Sequence, residues 1–353
     1  MNPPHHRRFG RLILIMTVTL IAAAGGACSG GNQPASPQPA NRLLGPVAAY
    51  ITPNDPPTSL PAAVGEISPV WYVPTDTGQL SSKAPTGQGR RLGELARMRN
   101  VRLQPTVNNY RAEGWDANLI TRILTTPTLR TAHQRALVAL VEVNHYAGID
   151  LDYEDLPPAD RAAYAAFVTE VATALQARGA ALSVTVPALT RTPTLANDYG
   201  YAYDYAALGA AADQLRIMTY DHAWPTSSPG PVAPSGWVNQ VLGYALAQIA
   251  PHKIMLGLPG YGYDWVGTRG SDVSATGAVA LARTRHATMH RNRDKPWFTY
   301  THAGAKHTVW FEDARSLSPT VALAARRHVG VFLWKLGGED PALWAVLDHR
   351  SGT

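Results

Sequence analysis

Cysteine is almost missing from this chain: Cys28 is the only one in 353 residues. With no second thiol an internal disulfide is excluded, so the fold has to be held by its core. Long apolar runs are equally scarce. Leu12 to Ala24 is too short to favour a membrane-spanning helix. No G-x-S-x-G and no G-x-x-x-x-G-K-[ST] occurs, which removes the signatures of a serine nucleophile elbow and a phosphate-binding loop. His286 and His290 are four apart, but Ala287 stands where a zinc-protease motif needs Glu, so no metal site is expected. Phenylalanine is rare at 5 residues against 9 Trp and 15 Tyr, a balance that favours aromatics with a polar handle and a wet edge. A basic stripe is also lacking. The formal charge of +6 includes Arg7, Arg8 and Arg11; without them 28 basic residues face 25 acidic ones, or +3. The densest basic run, Arg283 to Lys295, reads as a solvated helix and loop, and no nucleic-acid partner is expected.

Residues 1–27 read as an export signal: a basic start, the apolar run, then Gly25-Gly26-Ala27 before Cys28. The cysteine's position resembles the lipid-modified cysteine of bacterial lipoproteins, although Gly25 stands where such signals usually carry Leu. A membrane-anchored envelope lipoprotein is expected, with plain secretion as the alternative. Residues 28–43, rich in Gly and Pro, read as a flexible tether. The remainder, 44–353, suits one domain, expected as a monomer.

Apolar runs recur at intervals that predict eight strands: Val47–Ile51, Ile67–Val73, Val101–Val107, Gly148–Tyr153, Ala181–Val186, Gln214–Tyr220, Lys253–Leu258 and Val329–Trp334. Between most of them lie Ala-, Leu- and Arg-rich stretches that suit helices, as in Leu92–Met98, Leu119–Val143, Asp160–Arg178, Val238–Ala250 and Pro319–His328. Eight such units predict an α/β fold, a closed (β/α)8 TIM barrel. The gap between the last two strands is longer. It predicts a small α+β insertion at about 266–318, beside the barrel mouth.

On the fourth strand, Asp150-Leu151-Asp152-Tyr153-Glu154 sets three acids at alternate positions. In a strand they share one face, while Ile149, Leu151 and Tyr153 share the other. Acids are poor strand formers and repel at this spacing, so stability gives little reason for them. Chemistry does: coupled carboxyl groups in a partly dry cleft share protons, and one can remain protonated as a general acid. A solvated acidic edge strand is the alternative. The following Leu156-Pro157-Pro158 and helical spacing from Tyr164 make the unit strand, loop, helix, which puts the acids where barrels keep their active sites.

These residues resemble family 18 glycoside hydrolases, the chitinase-type barrel enzymes, over about residues 44–345. That family's Asp-Gly-x-Asp-x-Asp-x-Glu is matched by Gly148 to Glu154, its Met-x-Tyr-Asp by Met218-Thr219-Tyr220-Asp221, and its Trp closing the last strand by Trp334. Leu258–Trp265, Val309–Arg315 and Trp334–Gly337 look most like the spore-cortex and cell-wall N-acetylglucosaminidases, whose LysM repeats are not visible here. The resemblance implies retaining hydrolysis of β-1,4 bonds at N-acetylglucosamine in peptidoglycan or chitin, assisted by the substrate's own acetamido group. It implies Glu154 as general acid, Asp152 and Asp150 as the coupled pair behind the acetamido nitrogen, and Tyr220 on the acetamido carbonyl. Asp221, Met218 and Tyr261 would contact the sugar, with Trp334 as its floor. No cofactor is implied. Ala147 stands at the motif's first acid, so any help from that acid is absent or supplied elsewhere, and a catalytically weak, lectin-like sugar binder on the same barrel is the competing function.

Overall fold

The computed structural model describes residues 45–54, 57–111, 114–194 and 200–351. The expected export signal, Cys28 and tether lie outside the described residues. Eight parallel strands close on themselves: β1 (Val47–Ile51), β2 (Glu66–Pro74), β3 (Arg102–Leu103 resuming at Thr106–Asn108), β4 (Gly148–Asp152), β5 (Ala181–Pro187), β6 (Gln214–Met218), β7 (Ile254–Pro259) and β8 (Gly330–Trp334). Each pairs with the next, and β8 returns to β1 through Val47↔Val331, Ala48↔Phe332 and Ala49↔Leu333. The predicted TIM barrel is what forms. β3 is interrupted where Pro105 lacks an N–H to donate to the ladder, a break that the single strand predicted over Val101–Val107 does not include.

Outward side chains such as Ile149, Leu151, Val184, Ile217 and Leu256 join Phe167, Val171 and Val241 of the surrounding helices in the main core. Inside the barrel two chemistries divide the space. β1, β7 and β8 contribute Ala48, Tyr50, Met255 and Phe332; β2 to β6 contribute Glu66, Ser68, Thr106, Asp150, Asp152, Ser183, Thr185 and Arg216, all buried. Barrel interiors are normally filled by branched aliphatic residues. A polar half-interior is stable only if its groups satisfy one another.

Several helix boundaries differ from the periodicity. Leu119–Val143 is two helices, Ala117–Thr125 and Pro127–Asn144, because Pro127 begins a new helix after the extended Thr126. The helix expected from Pro319 starts earlier, at Ala314, where Asp313 and Ser316 form a reciprocal capping box, and Pro319 lies inside it. The insertion also begins earlier. Tyr261–Val266 pairs with Arg269–Ser274 and with Ala305–Phe311, so the five-stranded antiparallel sheet spans Tyr261 to Phe311, with the helix Ala275–Thr284 against its far face. The basic run near it is not wholly solvated: Lys295 is buried, 2.7 Å from Glu312 Oε2, and His290–Asn292 is a short strand. Among the described residues no group of side chains is arranged to hold a metal, and no helix is long and apolar enough to cross a membrane.

Gly148 opens β4 because nothing larger fits. A Cβ there would lie 2.1 Å from the carbonyl oxygen of Ala181 on β5. Gly148→Ala is expected to cost at least about 1–3 kcal/mol of stability by forcing these strands apart, measured by urea denaturation.

Candidate active site

The alternation of β4 turns Asp150 and Asp152 into the barrel and Ile149 and Leu151 out to the helices. Glu154 stands just past the strand end, at the mouth, and its backbone is held on both sides: its N–H donates to Asn109 Oδ1 at 2.8 Å, and Asn109 Nδ2 donates to its carbonyl at 3.0 Å. Tyr203 donates to the carbonyl of Tyr153 at 2.9 Å. The Tyr153 hydroxyl meets His133 Nε2 at 2.5 Å, while His133 Nδ1 meets the carbonyl of Gly78 at 2.9 Å. The strand end is thus clamped from three elements before any side-chain chemistry begins.

Asp150 lies at the bottom of the site with no exposed surface. Its carboxylate accepts from Tyr50 at 2.9 Å, Thr106 at 3.1 Å, Ser183 at 2.6 Å and Thr185 at 3.2 Å, and Arg216 Nη1 is 3.8 Å away. Asp152, one step up, is different. Its Oδ1 is buried and has no hydrogen-bond partner among the described residues. Burial, reinforced by the Asp150 carboxylate and only partly opposed by Arg216, pushes the Asp152 carboxyl up to about 8. Burial at the mouth, then the proximity of the Asp152, Asp155 and Asp221 carboxyl groups, holds the Glu154 carboxyl well above its ordinary range. A shift in this direction favours the protonated carboxyl, the form a general acid needs.

The opposite wall comes from the end of β6. Tyr220 packs directly over Gly257 of β7, where a Cβ would meet its ring at 2.5 Å, so glycine sets how deeply the ring sits. Asp221 has a positive φ of 56° and accepts from the hydroxyls of Tyr261 and Tyr263, each at 2.6 Å. A cavity of about 230 Å³ is lined by Asp152, Glu154, Met218, Tyr220, Asp221 and Trp334, together with Tyr50, Trp115 and Thr185. Six of the residues singled out in the sequence therefore meet in one space; Asp150 supports it from below and Tyr261 borders it through Asp221. Cys28 lies outside the described residues. Beyond Glu154 a second cavity of about 590 Å³ continues past Asp155, Trp224 and Trp237. A third, of about 340 Å³, passes Trp334 to Tyr261, Ser274 and Lys335. A larger cavity of about 830 Å³ lies along the helix Gln88–Met98, away from these acids.

Ala147 lines that distant cavity and shares the strand parity of Ile149 and Leu151. An acid at this position would stand out of phase with Asp150 and Asp152. What surrounds Asp150 instead are the hydroxyls of β1, β3 and β5, none of which the sequence reading named, and Arg216. The one available signal was a lone Arg within the apolar run Leu215-Arg216-Ile217. Asn109, Trp115, Trp224 and Trp237 were also missed; Asn109 and Trp224 sit on loops, Trp115 on a two-residue strand and Trp237 in the helix Ser235–Leu246, and their approach to the mouth depends on barrel closure.

The family model for glycosyl hydrolases family 18 matches residues 59–339. The chain is 32% identical over 265 residues to the YdhD glycosylase of Bacillus subtilis (strain 168), whose name marks it as sporulation-specific, covering 72% of this chain and 62% of that protein. It is 31% identical over 275 residues to the cortical fragment-lytic enzyme of Bacillus anthracis, covering 75% of this chain and 63% of that one. It thus spans under two thirds of either relative's length. A chitinase from Chromobacterium violaceum superimposes with a TM-score of 0.79 at 29% identity, over 87% of this chain and 98% of that structure. The Bacillus cereus spore cortex-lytic enzyme SleL gives 0.79 at 28% identity, over 87% and 74%.

His133 behind the strand end generates a pH prediction. Burial lowers its imidazole to about 4, against a small opposing effect of the Gly78 carbonyl. The unfolded chain therefore binds a proton below about pH 6.5 that the folded chain refuses until about pH 4, so this residue's contribution is present above 6.5 and lost as pH falls through that window. Relative to wild type, His133→Asn is expected to improve by up to about 3 kcal/mol on going from pH 6.5 to 4, read by urea denaturation at each pH.

Proposed function

We propose a reaction for a chain that belongs to glycosyl hydrolases family 18: retaining, substrate-assisted hydrolysis of β-1,4 glycosidic bonds at N-acetylglucosamine, in peptidoglycan or chitin. The observation that carries it is a buried Asp152 oxygen without a partner among the described residues, on a side chain that lines one cavity together with Glu154 and Tyr220. An unsatisfied buried acceptor is costly, and an acetamido N–H would satisfy it.

In this reading the sugar lies over Trp334 with its N-acetyl arm directed into the 230 Å³ cavity. Asp152 receives the acetamido N–H and Tyr220 donates to the acetamido carbonyl, which holds that oxygen in line with the anomeric carbon. Glu154 gives its proton to the glycosidic oxygen as the carbonyl oxygen attacks. The C–O bond to the leaving sugar breaks and an oxazolinium ion forms. The departing chain leaves through the 590 Å³ cavity past Trp224 and Trp237. Glu154, now a carboxylate, takes a proton from water, which opens the oxazolinium and restores the β configuration and the starting protonation state. Proximity of the internal nucleophile and charge stabilisation by the acid pair supply the rate.

The cortex-lytic names among the relatives support peptidoglycan as substrate, and the chitinase neighbour supports chitin. Attachment to the cell envelope through a lipid on Cys28 is part of the proposal and rests on the basic, apolar and small-residue order of residues 1–28.

Glu154→Gln is expected to lower kcat at least about 10²–10⁴-fold while oligosaccharide binding persists, measured by product release and calorimetry. Equal turnover in wild type and variant would remove the acid assignment. Gly257→Ala, which pushes the Tyr220 ring into the cavity, is expected to lower kcat about 10²-fold and to weaken a thiazoline mimic of the cyclised acetamido group. Proton NMR of the first-formed product should show the β anomer.

A further inference from the structure

The reaction outlined above makes no use of Arg216, a guanidinium with no exposed surface halfway along β6. An isolated buried cation is expensive, so its partners decide its purpose. Its Nη2 donates to Glu66 Oε1 on β2, its Nη1 donates to Ser68 at 2.6 Å, and the same Nη1 lies 3.8 Å from Asp150 Oδ1. Its carbon lies 5.4 Å from the centre of the Tyr50 ring. Glu66 has a second cation: its Oε2 is 3.7 Å from Nε of Arg102, which is half-exposed at the barrel floor. Charge therefore alternates from floor to mouth in the order Arg102, Glu66, Arg216, Asp150. Two cations balance two anions, and the next group up is Asp152.

The hydroxyls agree with this order. Tyr50, Thr106, Ser183 and Thr185 all reach the Asp150 oxygens, which suits an acceptor-only carboxylate. Asp152 receives no such donors at Oδ1 among the described residues. We propose that Arg216 is a positioning residue: the charge column beneath the site keeps Asp150 ionised and so fixes the single proton of the acid pair on Asp152. The upward push on the Asp152 carboxyl has the same direction. A proton held there starts the cycle with the acetamido-facing acid neutral, and as positive charge develops on the sugar the proton can pass toward Asp150. The consequence for rate rests on the roles proposed above, whereas the charge order stands without them.

The ionisable groups facing the pair are Tyr50 from β1, Glu66 from β2, Arg216 from β6, Glu154 at the mouth, Tyr220 beyond β6 and Tyr164 from the helix Arg161–Gln176. Removing the nearest cation and removing the anion behind it should move the pair in opposite directions. The test is a pH titration of the folded chain carrying carboxyl-carbon-labelled aspartate, followed by NMR, with the two signals assigned from Asp150→Asn and Asp152→Asn. Relative to wild type, Arg216→Gln should move the pair's first ionisation to higher pH by about 1–3 units, Glu66→Gln should move it lower, and Arg216→Lys should restore it. Because Arg216→Gln leaves two buried anions and can prevent folding, the charge-balanced double variant Glu66→Gln/Arg216→Gln stands beside it. The double variant should still titrate higher than wild type, the cation being the nearer charge. Where hydrolysis is measurable, the acid limb of kcat/KM should follow the same shifts. Shifts of one sign in Glu66→Gln and in the double variant, or none in either, would overturn the assignment. A wild-type chain without hydrolase activity would remove the reaction proposed above and leave this titration decisive.

Discussion

Two carboxyl groups on one strand face, both out of water and one step apart, cannot both be ionised without a large cost. The rest of the barrel interior is arranged around that constraint. Asp150 is given hydroxyl donors from β1, β3 and β5 and a cation from β6, while Asp152 above it is left with an oxygen that nothing in the described residues satisfies. Replacing branched aliphatics by Ser, Thr, Glu and Arg along β2 to β6 weakens the usual packing of such a barrel, and the helix-facing apolar layer has to carry the stability instead.

The mouth above this pair is held rigidly from several elements. Asn109, Tyr203 and His133 clamp the backbone and flank of β4, and Gly257 lets Tyr220 lie close to the floor of the cavity. The insertion contributes through Tyr261 and Tyr263, whose hydroxyls converge on Asp221 from its first strand. That sheet is tied back to the barrel by the buried Lys295–Glu312 pair, with Glu312 also accepting from the N–H of Ala233. Under the proposed reaction, the cavities past Trp334 and past Glu154 would give a chain-like ligand room to continue.

Much of this was legible in the residue order, and the exceptions share a cause. Strand positions followed from apolar runs, and the acid trio, Tyr220, Asp221 and Trp334 from short motifs whose spacing matches strand ends. Boundaries went astray where one residue's backbone chemistry overrides the pattern: Pro105 interrupting β3, Pro127 splitting a helix, Asp313 and Ser316 starting one five residues before Pro319. Lys295 looked solvated because its partner Glu312 lies seventeen residues away, just past the end of a strand whose register cannot be inferred from composition.

Periodicity and motif order by themselves determined the barrel, the strand that carries the acids and the side of it they occupy, because a strand's two-residue alternation is a local property of the chain. Only the closed tertiary structure decided which acid is surrounded by donors and which is left open, since the groups that make the difference, Tyr50, Thr106, Ser183, Thr185, Arg216 and Glu66, come from five other strands. Electrostatic work depends on distance in space rather than along the chain, and no local pattern encodes it.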